Sequence, residues 1–366
     1  MDFQKRLEEI IERINFLETK RIKLGRFLRK INEDFNIGPN EEIVEPQIIN
    51  KIEDEFPEKV SVLGVDGGII KHSYHGLDLV LMRSVGVNFI YEYGKLVDVT
   101  YYPSSNPLPI PKMLSEPFSD VELNFYYNFE RQIMEIQTTI EATEKLKPDF
   151  VLLDGSVIPT YVTKPDNPEL KQYYNNLLEK YKELFEIIKK HKLRIAGIVE
   201  DSRGMKFCDI IKRRIMSKMG THLSLELQKI LDKTRDTNIL FYILKKQERT
   251  CIFNYSSNPE VHPILKEFEK LSKNFFTFYI RTADFDRPVR VDFISFENPI
   301  VVANDISSVL LRTSGHAGYG IPSVLIEADQ RAKLNEKDME MFYSDLVSKI
   351  GNLSTLFKMR REMRPF

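Results

Sequence analysis

Two strongly apolar runs, far apart in the chain, end in the same way. Val62-Leu63-Gly64-Val65 runs into Asp66-Gly67-Gly68, and Phe150-Val151-Leu152-Leu153 runs into Asp154-Gly155-Ser156. Short aliphatic and β-branched runs bounded by turn formers predict buried strands. A carboxylate that follows several buried residues leaves a sheet at its edge, where water and ligands reach it. The glycine after it has no side chain, so a phosphate or a metal can approach the backbone. Adjacent strands ending this way would bring two carboxylates within a few ångströms. Such charges repel and stay ionised only with cations between them. Hard oxygen ligands in an open site suit Mn2+ or Mg2+. Two such ions, roughly 3.5–4 Å apart, activate a water and stabilise the leaving oxygen of a phosphodiester. The competing reading is that each Asp-Gly is a simple turn. It outweighs function for one instance but not for two on such apolar strands.

The chain has 366 residues, which predicts two domains or one large domain with additions. With 42% hydrophobic and 29% charged residues it can bury a large core and is not disordered in character. Its 53 basic and 54 acidic residues leave a net charge of -1, which neither favours nor excludes nucleic acid, because a binding groove needs only local positive charge. The sequence shows no membrane-length apolar run, and Met1 to Arg6 lead straight into charged helix without a signal-peptide pattern. Two cysteines, Cys208 and Cys251, exclude a disulfide framework and a Cys-rich zinc site. Together these features predict a cytoplasmic protein.

Residues 3–35 read as one amphipathic helix, an arm that packs on the body or forms a dimer element. The acidic segment after it, up to Pro57, reads as irregular or short-helical. Val60–Val65, Leu77–Val85, Val87–Glu92 and Leu96–Tyr101 read as an antiparallel meander, and the prolines of 103–111 as loop. Helix Phe118–Leu146 stops at Lys147-Pro148. Strand Phe150–Leu153, helix 168–190, strand Leu193–Val199 and a basic helix Met205–Lys218 follow. Leu240–Leu244, Thr250–Phe253, Phe275–Ile280 and Val289–Phe296 read as strands. Pro299–Arg312 and Pro322–Ile350 read as helices around the Gly-rich Ser314–Gly320. A meander followed by alternating α and β is the order of a ribonuclease H-like fold, an α/β mixed sheet flanked by helices. The division expected is an N-terminal helical arm and linker over 1–57, a nuclease domain with insertions over 58–350, and a basic tail over 351–366.

A two-metal site needs further acids. The helix before the Asp154 strand offers Glu130, Glu135, Glu141 and Glu144. Arg131 and Glu135 share a face, with small Thr138, Thr139 and Ala142 nearby to permit close docking. An ordinary surface ion pair is the simpler account of that spacing. Asp329 is a fourth candidate. Asp201, beside Ser202 and Arg203, could serve a phosphate site or cap the next helix. Lys212, Arg213, Arg214 and Lys218 form a basic helical face. Lys189, Lys190, Lys192 and Arg194 form another, and Lys358, Arg360, Arg361 and Arg364 a third. Each could follow a DNA backbone or simply be solvated. His72 and His75 have metal-ligand spacing but no Cys or Glu partner. His316, in the Gly-rich loop, could contact phosphate or move a proton.

Taken together, Gly64 to Gly68, Arg131 to Glu135, Leu152 to Ser156, Val199 to Gly204 and Gly318 to Asp329 resemble the NurA nuclease family over nearly the whole chain. The resemblance implies a ribonuclease H-like fold and Mn2+- or Mg2+-dependent DNA cleavage. It further implies a 5′-to-3′ exonuclease on single- and double-stranded DNA and an endonuclease on single strands. Members are homodimers that work with the hexameric ATPase HerA in resecting DNA ends for double-strand break repair. Carried over, Asp66, Glu135, Asp154 and Asp329 are the metal ligands, and Tyr319 lines the site. The family pattern often has histidine where Asp329 stands, and a basic residue is expected where Glu200 stands. The alternatives are an actin- or sugar-kinase-like ATPase, with these Asp-Gly turns on phosphates, and a non-catalytic adaptor of a ring ATPase.

Overall fold

The computed structural model describes residues 3–34, 42–53, 55–74, 77–114, 118–159, 164–214 and 228–350. Helix α1 (Phe3–Asp34) is followed by strands β1 (Ile49–Lys51), β2 (Lys59–Tyr74), β3 (Leu77–Glu92), β4 (Lys95–Tyr102) and β5 (Ile110–Leu114). Next come α2 (Asp120–Leu146), β6 (Phe150–Asp154), α3 (Pro168–His191), β7 (Arg194–Val199) and α4 (Lys206–Arg214). Then follow α5 (Asp236–Ile243), β8 (Glu248–Thr250), β9 (Phe253–Asn254), a 3-10 segment Leu265–Lys273, β10 (Phe275–Arg281) and β11 (Val289–Ile294). Helices α6 (Pro299–Thr313), α7 (Ser323–Ala332) and α8 (Glu336–Ile350) complete the described chain.

Among the described residues one mixed sheet of eleven strands runs β1-β8-β10-β11-β7-β6-β2-β3-β4, with β5 beside β3 and β9 beside β10. Strand β6 is parallel to both β2 and β7. The meander and the α/β half therefore share one sheet, as the ribonuclease H-like order predicts. On one face, Leu63, Val65, Val151 and Leu153 pack against Phe129, Ile136 and Ile140 of α2 and Leu177 and Phe185 of α3. On the other, Val62, Leu152 and Ile198 pack against helices α6 and α7 through Ile306, Val324 and Ala328.

The β2–β3 ribbon positions the site. It pairs from Lys59 with Glu92 to Tyr74 with Leu77, whereas β6 accompanies β2 only along Val62–Val65. Asp66 is therefore not the end of its own strand, as the sequence suggests. It stands where the parallel neighbour stops. The glycines after it are no turn either. A side chain on Gly68 would begin 2.1 Å from Ala332 O, so the strand stays glycine where α7 crosses it. Gly86 likewise lies within a continuous β3 and faces Ala142 of α2, which is the close docking expected of the small residues there.

Other expectations change for local reasons. Leu240–Leu244 is mostly helix, not strand. The segment is apolar on several sides because α5 lies between α1 and the sheet, with Ile239, Leu240 and Ile243 buried against Leu24 and Leu28. The expected Pro322–Ile350 helix is broken after Ala332. Asn335 restarts it as a cap, accepting at Oδ1 from Lys337 N (2.9 Å) while Asp338 accepts from Asn335 N (2.9 Å). The stretch 103–111, expected as loop, ends early: Ile110 and Pro111 already belong to β5 (Ile110–Leu114). The acidic linker supplies β1. His75, Lys218 and the basic tail 351–366 lie outside the described residues. No helix among the described residues is long and apolar enough to cross a membrane.

Candidate active site

Side chains alternate along a strand. Asp66 thus points to the same side as Gly64 and Gly68, toward α7. Val65 pairs with Leu153 across the parallel ladder, so Asp66 and Asp154 are the next neighbours in register. Asp154 in turn pairs with Ile198, and Glu200 follows two residues later on the same side. The register alone brings Asp66, Asp154 and Glu200 along one sheet edge.

The side chains converge there. Asp66 is buried, accepts from Gly67 N, and has the Asp154 carboxyl directly beside its own. Burial raises the Asp66 carboxyl, and Asp329 adds to the rise. Burial, then Asp66 and Glu200, push Asp154 up to about 7, with Arg131 pulling the other way and Asp329 adding. The Asp154 turn is a real one, with Gly155 at φ +99 and open space around it. It is Gly155, and not Gly67, that leaves room beside a carboxylate.

Glu135 fills the space at Gly67. A side chain there would begin 2.6 Å from Glu135 Cγ and 2.7 Å from Oε1. Arg131 Nη1 holds the same Oε1 in an i,i+4 ion pair. Both readings of that spacing therefore hold: Glu135 is ion-paired and also turned inward. Burial pushes its carboxyl up to about 8, with Asp66 and Asp154 adding to the rise and Arg131 opposing it. Helix α2 is fixed in place by a capping box of Ser119 and Glu122 and by a left-handed Lys147 at its end.

Asp329 on α7 and Tyr319 on the Gly-rich loop complete the group. Tyr319 Oη donates to Glu200 Oε1 (2.9 Å); burial, then this bond and the Glu200 charge, push its hydroxyl well up, with Asp154 and Asp329 adding. Glu200 is thus an acid of the site that sequence reading left without a role. The signal that could have found it is the strand-end position, two residues past the register partner of Asp154. The loop carrying Tyr319 is pinned where Thr282 Oγ1 donates to Gly320 O (2.6 Å) and Gly320 N donates to Asp286 Oδ2 (2.7 Å).

Several candidates stand apart from this group. Asp201 pairs with Arg287 (2.9 Å) at the surface and does not cap α4, whose first N–H groups at Phe207 and Cys208 are taken by Asp236. Arg203 is exposed. His316 accepts from Gly318 N (3.1 Å) within its own loop. Lys212 is paired with Asp232 (2.5 Å) and Arg213 with Glu42 (2.8 Å), so two cations of the α4 face are neutralised, and Arg214 is half-buried. His72 pairs with Glu336 (2.7 Å).

Among the described residues, no three His, Cys, Asp or Glu side chains stand close enough to share one cation as they are. The donor set nonetheless fits a hard divalent ion. Its ligating atoms are all carboxylate oxygens, and burial and mutual repulsion raise the pKa of two of the carboxyls, Asp66 and Asp154, which a cation would relieve. The family pattern of the NurA domain matches residues 60–334. This chain belongs to the NurA nuclease family. It is similar in fold to the NurA nuclease from Sulfolobus solfataricus, at 16% identity over 96% of this chain and 98% of that one, with a TM-score of 0.58. It is also similar to a NurA structure bound to dAMP and manganese, at 13% identity over 97% and 99%, with a TM-score of 0.52. A search of curated proteins gave no match.

Proposed function

We propose that this NurA-family chain is a metal-dependent DNA nuclease whose cations, two Mn2+ or Mg2+ ions, are held by Asp66, Glu135, Asp154 and Asp329. The observation that carries this reading is the Asp66–Asp154 pair, two register neighbours whose carboxyls lie side by side at a sheet edge. Bound ions would supply the activated water and stabilise the leaving oxygen of a phosphodiester. The chain's own residues would shape that site. Asp66 and Asp154 fix one edge, α2 brings Glu135 against Gly67, and α7 brings Asp329. Tyr319, hydrogen-bonded to Glu200, would border the acids. Of the candidate substrate contacts, Tyr319 is the one beside the acids. Asp201, Arg203, His316 and the α4 cations would meet DNA only farther along a strand.

The finer activity follows the family: 5′-to-3′ exonuclease, single-strand endonuclease, and end resection with a HerA-type hexameric ATPase. The homodimer draws support from α1. Phe3, Leu7, Ile10 and Ile14 are exposed at heptad spacing, on the line that Leu24 and Leu28 continue in the core. The division into arm, nuclease domain and tail belongs to the same proposal.

The test is digestion of an end-labelled oligonucleotide with Mn2+, with Mg2+ and with EDTA. Cleavage should require metal. Asp66→Ala and Asp154→Ala should each lower it by about 10³-fold or more, the scale of losing a catalytic group, with the melting transition kept. Native-rate cleavage by both variants would discard the site. ATP binding without cleavage would favour the kinase-like alternative.

A further inference from the structure

Arg131 is a cation set among acids. Its Nη1 holds Glu135, and its charge also faces Asp66 and Asp154. The side chains are 28% and 13% exposed, so this is not the loosely solvated pair that i,i+4 spacing usually gives. An opposing guanidinium helps the acids lie close together without a metal.

A divalent ion arriving at Asp66 and Asp154 would change the balance. It would attract Glu135 and repel Arg131, so two cations compete for one carboxylate. Glu135 already lies against Gly67, one residue from Asp66, and so within the same cluster as the cation it would serve. The guanidinium so released would remain at the mouth of the site. Its planar fork of N–H donors suits a phosphate better than any other ligand near such acids.

We propose that Arg131 is a placeholder cation: it neutralises Glu135 until a divalent ion takes that carboxylate, and it then binds a phosphate oxygen of the DNA strand. The proposal rests on the nuclease reading above and adds a residue that reading does not use.

The experiment uses the full chain, with Mn2+ binding measured by calorimetry in the absence of DNA. Arg131→Gln removes the competitor and should bind Mn2+ roughly tenfold tighter, a coupling of ordinary size between two ligands of one site. With Mn2+ saturating, the same variant should raise KM for an oligonucleotide several-fold. Arg131→Lys keeps a positive charge without the fork. It should bind Mn2+ as the native chain does and still raise KM. It also serves as the folded comparison should Arg131→Gln be unstable. Unchanged or weaker Mn2+ binding by Arg131→Gln, in a native chain that binds Mn2+ and cuts DNA, overturns the placeholder alone. If Arg131→Gln cannot be measured, Arg131→Lys with native KM does the same. A native chain that neither binds Mn2+ nor cuts DNA overturns both readings.

Discussion

Asp292 and Asp66 are buried carboxylates on the same sheet, held in opposite ways. Asp292 accepts from Thr277 Oγ1 (2.8 Å), Arg290 Nε (2.8 Å) and Ser156 Oγ (2.9 Å). Its charge has a cation, and its lone pairs have donors. Asp66 has one backbone donor, and it is crowded by the acids Asp154 and Asp329, with only the more distant charge of Arg131, which is paired to Glu135, opposing them. Burial alone therefore does not mark function. A carboxylate saturated with donors is structural, and one surrounded by like charge awaits something the chain does not contain. The two regions also touch, since Ser156 belongs to the Asp154 turn. The satisfied site holds the frustrated one in place.

Substitution separates them. The largest effect should be the loss of cleavage in Asp66→Ala and Asp154→Ala, with little cost in stability because repulsion is relieved. Asp292→Ala should do the reverse. It strands Arg290 without its carboxylate, which costs about 3–5 kcal/mol when a buried pair is broken. Urea denaturation measures that loss. An Asp292→Ala chain as stable as the native one would mean that the contrast between the two sites is wrong.

Gly68→Ala should come next. Its Cβ would meet Ala332 O at 2.1 Å, a backbone atom that cannot swing aside, and overpacking of that kind costs about 1–3 kcal/mol. A native melting temperature in Gly68→Ala would show that α7 does not press on β2.

Much of this site was legible in the sequence because strand pairing is a register. Two Asp-Gly endings on apolar strands foretold a carboxylate pair, and the structure places them as neighbours. What could not be read was which glycine does what. Asp66-Gly67-Gly68 looks like a turn, yet the strand continues, since β3 pairs with it throughout and Glu135 and α7 occupy the space the glycines leave. Only Gly155 turns. Glu200 was hidden because its place depends on β7 pairing beside β6, a long-range fact. Leu240–Leu244 was misread because a short helix buried on several sides loses the 3.6-residue pattern that distinguishes it from a strand.

The smallest effect is the most specific. Asp154 and Glu135 titrate near 7 and 8, above their ordinary values, because burial and neighbouring acids penalise their charge. A folded chain then holds protons that the unfolded chain has already lost above about pH 4–5. Stability without metal should fall as pH rises from 5 to 7.5, since the native state binds more protons there. His262, whose ring burial lowers, pulls the other way as it titrates. Lys206, lowered to about 8, changes charge mainly above this range. The difference between melting curves in EDTA and in saturating Mn2+ removes those common terms. With metal bound, the acids should already be ionised when folded, so the decline should vanish. The gap between the two conditions should therefore widen with pH, by about 2–6 °C from pH 5 to 7.5. A gap that stays constant or narrows would mean the acids of this edge carry no protons for a cation to displace.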